Sequence, residues 1–167
     1  MTLASLALVL NTALAQEFFG LAQEDPDNPW QEAPVQLPPM PQDVDLQPFY
    51  VSGTATQAFA VDERSIRTDL DGVVRFTLVS RSSAGAVNTS YEGIRCRTRE
   101  VKQYAFGRAD GSWVEARTSK WKQIAGTHAN RYHAVLARDF FCDDRAVKGN
   151  EEAIRFLLRN QQSVTPY

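Results

Sequence analysis

The chain has 167 residues, of which 43% are apolar and 23% charged, with 9 glycines, 8 prolines and a net charge of −2. That balance excludes a fibrous or wholly disordered chain and fits one globular domain with extensions. Two cysteines are too few for a four-thiolate zinc or iron–sulfur site.

Residues 1–15, MTLASLALVLNTALA, carry no charge and are nearly continuously apolar from Leu3 to Leu14. A membrane span needs roughly 20 such residues, so the stretch is too short to cross a bilayer. It ends in Ala13-Leu14-Ala15, with small residues where a signal peptidase reads. We therefore expect a secretory signal cleaved after Ala15, an exported periplasmic protein, and a mature chain that does not span a membrane. No Lys or Arg precedes the apolar run, and a buried N-terminal helix is the competing reading.

Residues 16–48 form an acidic, proline-rich arm. Pro26, Pro29, Pro34, Pro38, Pro39, Pro41 and Pro48 fall in it. Proline fixes φ and removes a backbone donor, so neither a helix nor a central strand is expected. Composition alone suits a disordered, solvated tether, but Trp30, Val35, Leu37, Met40 and Leu46 interrupt the polar residues and favour an extended arm docked, at least partly, on the body. Residues 1–63 hold nine acids and no Lys or Arg, whereas residues 64–167 hold 18 basic and 11 acidic side chains. An acidic arm can lie on a basic body and mask a surface for anionic partners; the plainer reading is that it supplies solubility.

Residues 49–167 are expected to form a single α+β domain: an antiparallel β-meander packed against C-terminal helices. Phe49–Val61 reads as a strand region. Asp71-Gly72 marks a turn, followed by a β-branched and aromatic strand at 73–81. Alternation puts Val74, Phe76 and Leu78 on one face, and Arg75, Thr77 and Arg81 on the other. Ser82-Ser83-Ala84-Gly85 leads into a second strand at 86–96, a third follows at 100–106, and Trp113–Ala116 forms a short fourth. Ala129, Tyr132, His133, Leu136 and Phe140 recur at helical spacing. Asn150 is a good N-cap for a last helix, with Glu151 and Glu152 in its first turn and Ile154, Leu157 and Leu158 on its apolar face.

The export signal places Cys96 and Cys142 where disulfides persist. Pairing would close a loop worth roughly 4 kcal/mol by chain-entropy reckoning, and two reduced buried thiols are the alternative.

The run Asp71–Val79, with Ser90–Cys96, Tyr104–Gly107, Trp113, Ser119–Trp121, Asp139–Cys142 and Asp27–Trp30, resembles the cryptic neisserial protein family of exported bacterial proteins. The resemblance covers about residues 24–160. It implies a cell-envelope location and supplies no catalytic residue.

Arg95, Arg97 and Arg99 alternate with Cys96 and Thr98, so a continuing strand would align three guanidiniums, joined across the hairpin by Arg75 and Arg81. Such a row suits phosphate or carboxylate groups. A solvated outer face that discourages edge aggregation is the plain alternative. His128 and His133 stand five apart, a spacing that on one helix turns the second ring away from the first. No metal or cofactor is therefore expected. Glu92 with Asp139 is a conceivable carboxylate pair of unknown separation. Trp113, Trp121, Tyr91, Tyr104 and Phe106 read as core rather than a sugar-stacking groove. No nucleic-acid motif occurs.

The expectation is a non-enzymatic binding or structural protein of the envelope whose basic face meets an anionic lipid, polysaccharide or protein. The alternative is a small periplasmic hydrolase of cell-wall or sugar substrates, and a cleft joining His133 or His128 to a nucleophile or carboxylate would favour it.

Overall fold

A computed structural model describes residues 29–128 and 131–161. The expected signal segment, its cleavage point at Ala15 and Ala129 of the helical stripe lie outside the described residues. Contacts divide the chain into two units, residues 1–32 and 33–167. Of the first unit, residues 29–32 are described, and they form neither helix nor strand.

The second unit is the expected α+β domain. Its antiparallel sheet runs β1 (Leu46–Phe49), β2 (Gln57–Thr68), β3 (Val73–Ser82), β4 (Val87–Arg95), β5 (Glu100–Gly107) and β6 (Trp113–Glu115) in chain order, and β7 (Lys122–Gln123) also pairs with β5. From β1 to β6 each connection joins spatial neighbours, as short loops between antiparallel strands require, whereas β6 and β7 both pair with β5. The Asp71-Gly72 signal is the β2–β3 turn, with Gly72 at φ 72°. The chain then forms α1 (Tyr132–Val135), a π-helical turn at Leu136–Phe141, a small hairpin of β8 (Cys142–Asp143) and β9 (Ala146–Val147), and α2 (Glu151–Arg159). Asn150 caps α2, its Oδ1 accepting from Ala153 N at 3.0 Å.

The expected strand at 49–61 is two strands. β1 begins inside the proline-rich segment and pairs with β2 through Leu46↔Asp62 to Phe49↔Phe59. Pro48 fits because β1 is an outer strand, where a missing donor leaves no neighbour unpaired.

Alternation works as expected on the helix side. Val74, Phe76, Leu78 and Ile94 join Leu136, Phe141, Ile154 and Leu158 in the main core. The Cys96–Cys142 disulfide, with Cα atoms 5.5 Å apart, ties the end of β4 to the start of β8.

The opposite face is also covered. The proline arm from Ala33 onward docks on it: Val35 packs against Tyr91, Tyr104 and Ala105, with Trp113 beside them, and Trp113 Nε1 donates to Pro38 O at 2.7 Å. Gly107 leaves room for Met40, whose Cε would sit 2.6 Å from an added Cβ. Ion pairs link arm and sheet, among them Arg81–Asp43 at 2.6 Å and Arg64–Asp45 at 3.9 Å.

Two irregularities shape the sheet. Between Asp62↔Thr77 and Arg67↔Arg75 the β2–β3 register jumps, so residues 63–66 have no partner on β3. Carbonyls that leave a ladder need other donors. Arg155 of α2 supplies them, donating to Glu63 O at 2.8 Å and Ile66 O at 3.1 Å. The second shift lies between β4 and β5, where Tyr91 faces Ala105 but Glu92 faces Gln103.

Candidate functional site: a buried glutamate–histidine pair beside a basic pocket

The second register shift builds the site. Cross-strand partners share a sheet face, so the bulge at Tyr104 brings Gln103, not Tyr104, to the side of Glu92 that meets α1. Glu92 Oε1 accepts from Ser90 Oγ at 2.6 Å, Gln103 Nε2 at 3.2 Å and the Tyr132 hydroxyl at 3.4 Å. Its Oε2 lies 2.6 Å from His133 Nε2. Glu92 has no exposed surface. A charge so placed is tolerated only when its lone pairs are filled. Burial alone would raise its pKa, but the His133 hydrogen bond and charge, with the Ser90 and Gln103 donors, hold the carboxyl below its ordinary range. Burial and the Glu92 charge push the Tyr132 phenol far up, so Tyr132 stays a donor.

With the carboxylate as acceptor, His133 Nε2 carries a proton and Nδ1 is the ring's second polar atom. His133 is also on the wall of a pocket of about 250 Å³ shared with His128, Lys120, Lys122, Arg131 and Thr118. No carboxylate lines it, and no ion pair is formed by Lys120, Lys122 or Arg131 among the described residues. The field in the pocket is therefore positive, which suits an anionic group. An imidazole fixed by a carboxylate is also the arrangement used for general-base chemistry. Of the lining side chains, Thr118 bears the one hydroxyl.

The five arginines expected to form one basic face do not do so. β4 ends at Arg95 and residues 96–99 form a turn, so strand alternation stops before Arg97 and Arg99. Arg99 is exposed with φ 55°, Arg97 is half-buried, and Arg95 is buried. Arg75 is 1% exposed. Its guanidinium bonds Asp71 Oδ2 at 2.6 Å and Asp69 Oδ2 at 2.8 Å. Burial would lower its pKa, but the bond to Asp71 pushes it further up, so it stays charged. Arg81 is exposed and pairs with Asp43. The arm covers the face these side chains were expected to present.

The histidines also differ from the expectation. His128 precedes α1 rather than lying on it, so helical spacing does not separate the rings, and both reach one pocket. Glu92 partners His133, while Asp139 pairs with Arg138 at 2.6 Å. Nothing in the sequence pointed to Glu92 with His133, since neither the bulge nor the docking of α1 has a local signature. Tyr91, Tyr104, Trp113 and Trp121 pack on one another, with Tyr91–Tyr104 centroids 5.8 Å and Tyr104–Trp121 centroids 6.5 Å apart, whereas Phe106, expected in the core, is exposed near the end of β5.

Among the described residues, no helix is long and apolar enough to cross a membrane. No curated protein and no solved structure matches the chain. A family model does match, over residues 25–159, which takes in most of the arm, the whole sheet and both helices. The chain thus belongs to the CNP1-like family.

Proposed function

We propose that this protein is exported to the periplasm, loses its leader after Ala15, and binds an anionic group of an envelope component in the pocket beside His133. The observation that carries the reading is the convergence of Lys120, Lys122 and Arg131 on a wall free of carboxylates. Lysine and arginine bind phosphate and carboxylate through charge-assisted hydrogen bonds. Glu92 holds His133 so that its ring completes the wall without rearrangement. The role is binding rather than catalysis, and no cofactor or nucleic acid enters it.

Titrating the chain with inorganic phosphate and, separately, acetate while following the His128 and His133 ring resonances tests this. Saturable shifts that vanish in K120Q/K122Q are expected. Rings unmoved by either anion, or shifts unchanged in the double variant, would refute the site. Non-reducing mass measurement of protein recovered from the periplasm tests export, the cleavage point and the oxidised cysteines together.

A hydrolase of cell-wall or sugar substrates is the second reading, favoured by the 2.6 Å contact between His133 and Glu92. It requires that purified cell-wall sacculi be cut by the wild type and not by H133A.

A further inference from the structure

A different cavity, of about 690 Å³, lies between the proline arm and the sheet face opposite α1. Its ceiling includes Pro34, Leu37, Pro39 and Met40, and its floor includes Asp62 and Tyr91. Asp62 is only 4% exposed, yet backbone amides alone meet its carboxylate, Arg64 N at 3.0 Å and Ser65 beside it, and among the described residues it forms no ion pair. A buried carboxylate without a countercharge is costly unless something supplies one.

We propose that this cavity is a second ligand site, in which Asp62 receives the ammonium group of a small amine whose apolar stem lies under the proline ceiling. The charges around it agree. Of the three arginines on the wall, Arg75 is held by Asp71 and Asp69. Arg67 donates to the carbonyls of Arg64 and Ile66. Arg64 is largely exposed and 3.9 Å from Asp45. Burial raises the Asp62 pKa, and the Asp45 charge adds to it by more than the Arg64 charge offsets. An ammonium group relieves both effects, supplying the countercharge that the backbone amides at Asp62 do not.

The register jump at Asp62 gives the site its form. Ser65 Oγ donates to Asp62 O at 2.7 Å and accepts from Thr77 N at 2.7 Å, pinning the bulge from within. The arm then closes over it, with Ala33 N bonded to Asp71 Oδ2 at 2.8 Å.

Three probes of matched stem on the full chain test the assignment: butylamine, butyrate and butanol, each followed by the carboxyl resonance of Asp62. Butylamine should bind saturably and move that resonance, while butyrate and butanol should not. D62N keeps an acceptor for Arg64 N, and so the bulge, while removing the charge; it should weaken butylamine binding by about tenfold, the factor expected for about 1.4 kcal/mol. The proposal fails if butylamine does not bind, if D62N binds it equally well, or if butyrate binds as tightly. A butylamine response confined to His128 and His133 would also reject it, without touching the anion pocket.

Discussion

His133 Nε2 sits 2.6 Å from Oε2 of Glu92, a carboxylate between the sheet and α1 with no exposed surface. This contact joins the stability of the domain to the chemistry of its pocket. E92Q keeps the size but loses the charge, and it turns an acceptor toward the Ser90 and Tyr132 hydroxyls into a donor or leaves it short. A loss of about 1–3 kcal/mol at neutral pH is expected from unsatisfied buried partners. The pH dependence follows from the lowered carboxyl pKa. The unfolded chain takes up this proton first, near the ordinary glutamate value of about 4.3, so the stabilisation is complete above that value. It is lost as the pH falls through the lower folded value. Urea midpoints of wild type and E92Q should thus differ at neutral pH and converge as acid is added. Parallel curves over the whole range would contradict the linkage.

Arg75 and Arg81 lie on one strand, with contrasting surroundings. Arg75 is buried against Asp71, itself held low in pKa: burial would raise it, but Arg75, Ala33 N and Val73 N outweigh that. Removing one member of such a pair strands the other, and R75M should cost about 3–5 kcal/mol. Arg81 and Asp43 are both solvated, and R81A should leave the urea midpoint nearly unmoved. Equal effects of the two variants would mean that the arm does not bury Arg75 in solution.

That contrast shows what the sequence could disclose. Alternation correctly sorted Val74, Phe76 and Leu78 from Arg75 and Thr77, because side chains on a strand must point to opposite faces. It could not say that the second face is covered, since an arm of prolines has no period to read. The Asp71-Gly72 turn, the Asn150 cap and the strand cores were legible because each is a local signal. The site was not. Glu92 meets Gln103 only because the β4–β5 register shifts, and it meets His133 only because the helix layer packs there. Asp62 stands at the edge of a bulge clamped by Arg155 from a helix far along the chain. Register shifts and helix docking belong to the partner elements, so no window of sequence contains them.

The cysteine pairing was expected from the apparent export signal and from there being two cysteines, and its consequence is thermodynamic. Cys96 and Cys142 are 46 residues apart, and the bond restricts the unfolded chain by roughly 4 kcal/mol. C96S/C142S should therefore lower the urea midpoint strongly while leaving the urea m-value in the native range or higher. Adding a reductant to wild type should move its midpoint toward that of the double variant. A midpoint insensitive to reductant would show that the cross-link is absent in the protein as isolated.

Gly93 is tight on the arm side of the sheet. A Cβ there would lie 2.6 Å from the Tyr104 hydroxyl and 2.9 Å from Val73 Cγ1. One of the two must move, and both are enclosed, so G93A should destabilise by about 1–3 kcal/mol through overpacking. The exposed turn glycine Gly85, at φ 85° with open space around it, gives a control of different origin. There G85A should lose stability through backbone conformation alone, without disturbing the Tyr104 ring resonances that G93A shifts.

The arm can be tested one bond at a time. Trp113 Nε1 donates to Pro38 O, and W113F removes that donor while keeping an aromatic ring beside Tyr91. The net loss for one such bond is about 1 kcal/mol, too little to unfold the domain but enough to raise the population of a released arm several-fold. The reporter is the Ala33 amide, bonded to Asp71 Oδ2 at the other end of the docked segment. If the arm opens as a unit, W113F should speed hydrogen exchange at Ala33 while the amides of β3 and β4 keep their protection. Exchange at Ala33 unchanged by W113F would show that the two attachments open independently, and that the cavity above Asp62 has a ceiling which gives way piece by piece.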